Sequence, residues 1–286
     1  MKTLIITLFA LLSLSCKANE IDKLKNISDV NTFLRKVVGK KWDGSFFDVK
    51  PDTTSKLFNV KFLKIDINDD GLTDLILNGA DIVAVVDNGK GGYDFHLISQ
   101  RGGMTFKKYV LAGTDTTKPA KIIVKTYYTH AQKDEPVIYD TLVVKFGAFV
   151  EYSRNIDHRK VRKLSFSTTA CFGKCPVFDL HIESDGTAEY DAYNYNSETG
   201  RFTGKIDSIK LNQLFGLIEY LNLKSLNDNY KVLWTDDQTC MLTVRYNDGT
   251  VKTIQDYGGE GTFGLRQLYH LLFGLRKSQY WYATDN

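Results

Sequence analysis

Residues 177–193 have the sequence VFDLHIESDGTAEYDAY, in which two alternating segments flank a Ser-Asp-Gly triplet. Apolar side chains occupy every second position on both sides of the triplet, which is the period of a strand with one buried face. Because Asp-Gly between two such segments is typical of a tight turn, the stretch predicts a β-hairpin. Further strands are predicted at residues 163–167, 239–246 and 250–257, the last two around an Asn-Asp-Gly turn.

Two helices are predicted among these strands, at residues 209–221 and 263–276. The second helix carries four leucines at the spacing of one helix face, Leu265, Leu268, Leu272 and Leu275. Strand pairs with two interspersed helices predict an α+β domain, which we place at residues 160–286.

The first half contains strand-like segments that are rich in β-branched and aromatic residues and bounded by Gly, Asn or Asp. They lie at residues 60–67, 74–77, 82–86, 94–98, 121–127 and 141–152. A short helix at residues 29–38, capped by Ser28, precedes them. The segments predict one antiparallel meander, a β domain over residues 21–155. The fold class is therefore α+β and β-rich.

The charge of the chain is nearly balanced, with 37 Lys and Arg against 34 Asp and Glu and a formal net charge of +3. No block of like charge follows the N-terminal segment, so nucleic acid is not expected as a partner. Residues 259–264 match the pattern G-x-G-x-x-G between a strand and a helix. A dinucleotide site also needs a later parallel strand with an acidic residue, for which no room follows, so no nucleotide is expected.

Residues 1–16 have the pattern of an export signal, in which Lys2 is followed by an almost unbroken apolar run at residues 4–14. This apolar run is shorter than the roughly 20 residues of a membrane-spanning helix. Its end, Leu-Ser-Leu-Ser-Cys, resembles a bacterial lipobox, which implies a lipid on Cys16. Cleavage near Ala18 with release from the membrane stays open. The sequence thus predicts an exported bacterial envelope protein held to a membrane by an N-terminal lipid.

Residues 66–74, DINDDGLTD, alternate oxygen-bearing side chains in the manner of a calcium loop. The predicted ligands are the side chains of Asp66, Asn68, Asp70 and Asp74 and the carbonyl oxygen of Leu72. No Glu stands at the twelfth position and strands flank the loop, so it is not an EF-hand.

The surrounding residues 62–79 resemble a single calcium hairpin of the FG-GAP repeat families, which implies a structural Ca²⁺. The alternative is a metal-free turn in which Asp and Asn side chains accept backbone N–H groups.

Residues 170–176, ACFGKCP, place Cys171 and Cys175 at C-x-x-x-C spacing, which suits a disulfide, a metal pair or a redox couple. Redox and copper-delivery sites set such cysteines at the start of a helix, whose dipole lowers the thiol pKa. Here Pro176 leads into a strand, so a structural disulfide in an oxidising compartment is favoured. Cys240 is expected to be a small buried residue, with a three-thiolate site as the lesser alternative.

Several residues of the second half form one pattern, namely the cysteine motif before a strand, Asp185-Gly186, Tyr190, Tyr230, Thr235-Asp236, Asp256-Tyr257-Gly258 and Trp281. This pattern, over residues 163–281, resembles the bacterial domain of unknown function 6438. Phe178 stands where a tyrosine is common in that family. The family has no assigned activity, so the resemblance implies a domain and an envelope setting without a mechanism.

Tyr230, Asp236, Asp256 and Tyr257 are candidates for an acidic, aromatic cleft suited to a sugar, although such residues more often cap turns. No catalytic signature occurs, and no catalytic residue is predicted. The sequence favours a non-enzymatic envelope module that contacts a protein or a glycan. The alternative is a thiol-active protein that handles redox equivalents or metal through Cys171 and Cys175.

Overall fold

A computed structural model describes residues 19–39, 42, 45–48, 57, 60–98, 107–128 and 136–284, so Cys16 lies outside the described residues. The described chain has three α-helices and sixteen strands in three sheets, and all but one of the strand pairs are antiparallel. The predicted α+β, β-rich class is therefore confirmed.

The first sheet is a four-stranded meander in chain order. Its strands are β1 (Phe62–Ile65), β2 (Asp74–Asn78), β3 (Ile82–Asp87) and β4 (Tyr93–Leu97). Helix α1 (Ile27–Val38) covers one face of this sheet, where its buried Val30 and Leu34 share a core with Leu75 and Leu77 of β2.

Helix α1 begins at Ile27, and its cap is Asn26, whose side chain accepts the N–H of Asp29 at 3.0 Å. The predicted cap at Ser28 is wrong, because Ser28 already lies in the first turn. Asn26 has the extended backbone that an N-cap residue needs, and its amide oxygen can reach the third residue of the helix.

The second sheet is another four-stranded meander, in the order β5-β6-β7-β8. Its strands are β5 (Lys107–Asp115), β6 (Lys121–Tyr128), β7 (Ile138–Lys145) and β8 (Ala148–Glu151). Ile122 and Leu142 of this sheet pack with Ile76 and Ala84 of the first sheet, so the two sheets form a sandwich.

The single meander predicted for the first half is wrong, because the strands divide between two sheets. The single strand predicted at residues 141–152 is also wrong, since the chain reverses at Phe146 and Gly147 to form the hairpin of β7 and β8. Both turn residues have positive φ, 54° and 77°, as tight hairpin turns require. Strand β5 was not predicted.

The third sheet has eight strands in the order β13-β15-β14-β9-β10-β11-β12-β16. The strands are β9 (Val161–Thr168), β10 (Phe178–Glu183), β11 (Thr187–Ala192), β12 (Gly200–Lys205), β13 (Asn229–Lys231), β14 (Thr239–Tyr246), β15 (Val251–Tyr257) and β16 (Tyr282–Ala283). Short β13 runs parallel to β15, whereas β15 and β14 are antiparallel. The predicted hairpin is β10 and β11, and the strands not predicted are β12, β13 and β16.

Helices α2 (Ser208–Leu221) and α3 (Phe263–Ser278) cover one face of the third sheet. Leu217 of α2 and Leu268 of α3 share its core with Leu164 and Leu242. The other sheet face is partly solvent-exposed, which explains the strict alternation of apolar and polar residues in its strands. None of the described helices combines the length and the apolar composition that crossing a membrane requires.

The predicted domain boundary, at residues 155–160, falls between β8 and β9, but the two sides share cores. Val143 and Val150 of the second sheet are buried in the core of the third sheet. Phe263, at the start of α3, is buried in the core of the sandwich. The division into two domains therefore stays a prediction, and contacts across this boundary are part of the fold.

The described chain begins in contact with the first sheet. The side-chain amide of Asn19 donates to the carbonyl of Thr73 at 2.6 Å and to the carboxylate of Asp87 at 3.2 Å. Ile21 and Leu24 are buried in the core beneath α1. The residues that closely follow the predicted lipid-bearing cysteine are thus already packed.

Phe166 is at the aromatic centre of the third core, with ring centroids 5.5 to 5.8 Å from those of Phe178, Tyr269 and Phe273. We expect Phe166→Ala to lower the free energy of unfolding by about 3–5 kcal/mol, because the side chain is fully buried and leaves a cavity. Denaturant unfolding measures this loss.

Phe172→Ala is the matched control, since its ring is exposed and its removal leaves no cavity. We expect its free energy of unfolding to stay within about 0.5 kcal/mol of the unsubstituted protein. Equal losses in the two variants would contradict the packing described above.

Candidate functional site

The predicted calcium loop lies between β1 and β2, and its side chains are bonded to the loop's own backbone. Asp66 accepts the N–H groups of Asp70 and Gly71, each at 3.0 Å. Asp70 accepts the N–H of Leu72 at 2.8 Å and a hydrogen bond from the amide of Asn68 at 2.9 Å. This is the bonding of the metal-free turn that the sequence leaves as the alternative.

Asp74, the last predicted ligand, is fully buried, and it accepts the N–H groups of Ile67 at 2.9 Å and Asp87 at 2.8 Å. Burial raises the pKa of Asp74 to about 6; the two N–H donors oppose the rise, and the charges of Asp70 and Asp66 add to it. Within the residues that the structure describes, no three His, Cys, Asp or Glu side chains are grouped to hold a metal ion. The negative charge of the loop suits a cation, but its carboxylates are not grouped around one point where a cation could be held. Calcium therefore stays a prediction.

The cysteine loop joins β9 to β10, and its two sulfur atoms lie at disulfide-bonding distance. The Cα atoms of Cys171 and Cys175 are 5.8 Å apart, within the range of protein disulfides. The chain enters strand β10 at Phe178, and no helix begins at either cysteine. Neither sulfur thus gains the helix dipole that lowers a thiol pKa in thioredoxin-like sites.

Hydrogen bonds fix the cysteine loop to the loop that precedes β14. The side-chain amide of Gln238 donates to the carbonyls of Thr169 at 2.7 Å and Pro176 at 2.8 Å. The backbone N–H of Phe172 donates to the carbonyl of Asp236 at 2.9 Å. The ring of Phe172 is nevertheless 90% exposed. The loop therefore presents an apolar ring to solvent on a backbone that is held in place.

The four residues predicted to form a ligand cleft lie as two separate pairs. Asp256 is fully buried and accepts the N–H groups of Glu260 at 3.1 Å and Gly261 at 2.8 Å. Burial raises the pKa of Asp256, and these N–H donors lower it. Tyr230 lies beside Asp256 in the register of β13 and β15. A Cβ at Gly261 would come within 2.7 Å of the Asp256 carboxylate, so the glycine-rich loop closes over this residue.

Tyr257 and Asp236 form the second pair, beside the loop that precedes β14. The hydroxyl of Tyr257 accepts the N–H of Asp237 at 3.0 Å, on the face of β15 opposite to Asp256. Asp236 is exposed, and its carbonyl accepts from the cysteine loop. The predicted sugar cleft is thus not assembled from all four residues in one place.

Cys240 lies in the core and is 3% exposed, which confirms the expected small buried residue. Burial, followed by the charges of Asp256 and Asp237, raises the pKa of the Cys240 thiol to about 12. At neutral pH this thiol is therefore protonated and a poor nucleophile or metal ligand.

A cleft of about 400 Å³ lies where the second sheet meets the start of α3. Along one face of β6, Ile122 and Val124 are buried against the first sheet, whereas Thr126 and Tyr128 line the cleft. We call this site the seam cleft. Its polar and aromatic lining includes Tyr109, Thr126, Asp140, Glu151, Tyr230 and Arg266.

The opposite wall of the seam cleft is the loop before α3 and the first turn of that helix. The carboxylate of Glu151 accepts the N–H groups of Phe263 at 2.5 Å and Gly264 at 2.8 Å. The hydroxyl of Thr262 accepts the N–H of Leu265 at 3.1 Å. The first-turn N–H groups that would otherwise attract an anion are therefore already bonded.

Arg266 and Tyr109 connect the two walls. The guanidinium of Arg266 lies 4.1 Å from the centre of the Phe263 ring, and one of its nitrogens lies 3.5 Å from the hydroxyl of Tyr109. Burial raises the pKa of Tyr109, and the charge of Arg266 opposes that rise. The sequence analysis did not predict this site. The one sequence feature that indicates it is the change along one face of β6 from the apolar Ile122 and Val124 to a polar residue at position 126.

The wall of the seam cleft that includes the start of α3 lies in a segment that matches a known protein family. Residues 162–276 match the family described as Domain of unknown function (DUF6438). The match confirms the resemblance predicted for the C-terminal half, and it contains the cysteine loop, Tyr230 and Arg266. No curated protein and no solved structure matches the chain. The seam cleft is thus formed by matched residues on one wall and by residues that precede the match on the other.

The raised pKa of Asp74 gives stability a defined pH dependence. Between the ordinary pKa of 3.8 and about 6, the folded protein keeps a proton that the unfolded chain has released, so the contribution of Asp74 to stability falls as pH rises through this window. We expect Asp74 to titrate near pH 6 in the presence of a chelator. Asp70→Asn should lower that pKa, because it removes a nearby negative charge. Carbon-13 NMR of the aspartate carboxyls measures both.

Asp69→Asn is the control, since it removes one charge from the same loop at a residue with φ of 60°, a conformation that asparagine tolerates. We expect it to change the pKa of Asp74 less than Asp70→Asn does. An Asp74 carboxyl that titrates at its ordinary pKa would contradict its buried position.

Proposed function

We propose that the protein is an exported, lipid-anchored binding module of the bacterial envelope, in which the Cys171–Cys175 disulfide is structural. The observation that carries this proposal is the cysteine loop, where a disulfide and hydrogen bonds fix the backbone beneath the exposed ring of Phe172. Aromatic side chains on a rigid backbone are typical anchors of protein contacts, because little conformational freedom is lost on binding.

The small ring between the two cysteines supports a local role for the disulfide. The cysteines are only four positions apart, so closing the loop stabilises the whole fold by only about 2 kcal/mol in the chain-entropy account. The backbone of Phe172 lies inside this ring and is restricted directly by it. We therefore assign the disulfide to ordering the contact surface.

Export and lipid attachment are supported by the sequence and by the chemistry of the disulfide. The apolar segment before Cys16 has the pattern of a signal, and its last residues resemble a lipobox. Disulfides persist in oxidising compartments such as the periplasm, which agrees with an exported protein. We place the protein on the periplasmic or outer-membrane side, anchored through Cys16.

We expect mass spectrometry of the membrane-extracted protein to find a lipid on Cys16 and a disulfide between Cys171 and Cys175. These two cysteines should resist alkylation until a strong reductant is added, because a structural disulfide is not open to exchange.

Cys240 is an internal control, since its buried thiol should be alkylated only after unfolding, with or without reductant. If Cys171 or Cys175 is alkylated immediately, or only after a metal has been removed, the binding-module proposal is wrong. The thiol-active alternative then takes its place. A native N-terminus near Ala18 without lipid would remove the membrane anchor from the proposal.

A structural Ca²⁺ in the loop of residues 66–74 belongs to the same proposal, with Asp66, Asn68, Asp70, Leu72 and Asp74 as its ligands. Its support is the sequence pattern together with the mutual repulsion of three carboxylates, one of them buried. A divalent cation would relieve that repulsion, and it would favour the ionised form of Asp74.

We expect millimolar Ca²⁺ to raise the thermal midpoint of the chelator-treated protein, because a ligand of the folded state stabilises it. Asp70→Asn should abolish the increase, whereas Asp69→Asn, which removes the same charge from the same loop, should retain it. Calorimetric scans with and without Ca²⁺ measure the effect, and an unchanged midpoint in the unsubstituted protein would rule out this calcium site.

A further inference from the structure

Strand β4 ends the first sheet, and one of its edges has no neighbouring strand within the residues that the structure describes. On the edge that pairs with β3, the N–H of Ile98 donates to the carbonyl of Ile82 at 2.9 Å. The N–H of Asn88 donates to the carbonyl of Gly92 at 3.1 Å. Bonded and unbonded pairs alternate in an antiparallel ladder, so these two bonds fix which residues turn their N–H and C=O groups to the open edge. They are Tyr93, Phe95 and Leu97.

The open edge of β4 also carries exposed apolar side chains. Phe95 is 45% exposed and Leu97 is 57% exposed. The ring of Tyr93 lies on the same face and packs edge-on against Phe33 of α1, with centroids 5.0 Å apart. Crevices of about 510 and 460 Å³ border the strand, one on the side of α1 and one beside the turn between β7 and β8. An open edge with apolar side chains is a template for pairing with another strand.

A second copy of β4 matches this edge in its backbone groups and its apolar side chains. When two β4 strands pair antiparallel about a two-fold axis at Phe95, this residue faces its own copy, and Tyr93 faces Leu97 of the other copy. These positions then form the bonded type of pair, in which facing residues exchange both N–H groups. The exposed apolar side chains become cross-strand neighbours, which stabilises such a pair.

Asp94 and His96 favour this register over its neighbours. With the axis at Phe95, the exposed Asp94 of each copy faces His96 of the other copy, and an imidazole N–H can donate to the carboxylate. Moving the axis by one residue in either direction places Asp94 opposite Asp94 or His96 opposite His96. Like charges that face each other across strands are destabilising, so the complementary register is selected.

We infer that two copies of the protein pair through β4 about a two-fold axis at Phe95, so that their four-stranded first sheets form one continuous sheet. A two-fold axis uses the same surface on both copies and closes the assembly at a dimer. This dimer goes beyond the proposed binding role and uses none of the cysteine loop, the lipid or the calcium loop. Either proposal can therefore fail without the other.

Single cysteine substitutions test the register. Phe95→Cys should give a disulfide-linked dimer under mild oxidation, because the Cα atoms of a bonded antiparallel pair lie about 5.5 Å apart, within the range of disulfides. Leu97→Cys is the matched control on the same strand and the same face. It would lie about 14 Å from its own copy, because four residues of strand separate the two positions. We expect Leu97→Cys to give at least tenfold less linked dimer on non-reducing gels.

Sedimentation velocity of the protein as isolated, across a concentration series, measures the association itself. We expect a monomer–dimer equilibrium with a Kd of about 10 μM or tighter. Leu97→Lys should weaken it by about tenfold or more, because it places a charge opposite Tyr93 on the paired edge. Val251→Lys is the control, since Val251 is 48% exposed on a strand of the third sheet, and its Kd should not change.

A pair of charge variants tests the facing of Asp94 and His96. Asp94→Lys and His96→Glu should each weaken the dimer, because each removes the complementary pair. An equimolar mixture should associate about tenfold more tightly than either variant alone, since the introduced lysine faces the introduced glutamate. A mixture that associates no more tightly would contradict this register.

Three further results would overturn the inference. A protein that stays monomeric at about 1 mM, 100-fold above the expected Kd, would leave the β4 edge to an extended segment of another protein. Equal linking of Phe95→Cys and Leu97→Cys would exclude the axis at Phe95. Equal weakening by Leu97→Lys and Val251→Lys would exclude β4 as the interface.

Discussion

The contact between Glu151 and the first turn of α3 is the junction on which the arrangement of the two halves depends. Its carboxylate accepts two backbone N–H groups of a helix that begins more than a hundred positions later in the chain. Hydrogen bonds to a charged group contribute about 1.5–3 kcal/mol each, and the helix dipole favours the negative charge here. Phe263, which donates one of these bonds, is also buried in the sandwich core. The cap from Glu151 and the packing of Phe263 therefore both fix the first turn of α3.

The seam cleft is a geometrical result of this junction. The second sheet buries part of one face against the first sheet, and that face extends beyond its neighbour. The start of α3 stands opposite the uncovered part without filling it, because Glu151 and Arg266 hold the helix by polar contacts at its first turn. Side chains on this part of the face include the polar Thr126 and Asp140 beside the apolar Ile138.

Local patterns predicted much of the fold because many strands have one buried face. The hairpin of β10 and β11 has strict alternation and an Asp-Gly turn, so its position followed from the sequence. Strands β12 and β13 did not, since Gly200–Lys205 lacks alternation and Asn229–Lys231 is only three residues long. The turn at Phe146 was missed because a phenylalanine at positive φ has no sequence signal. The seam cleft joins residues far apart in the chain: the polar residue at position 126 marks one wall, but no local pattern indicates which residues stand opposite it.

Asn19 lies against the first sheet, three residues after Cys16, and it bonds to the carbonyl of Thr73 within the acidic loop of residues 66–74. Three residues span at most about 11 Å, so a lipid on Cys16 would leave almost no tether between the bilayer and the first sheet. The acidic loop would then lie within roughly two Debye lengths of the lipidated residue, since one Debye length is about 8 Å at physiological ionic strength. Divalent cations concentrate at anionic surfaces, so the loop would be exposed to part of that local excess.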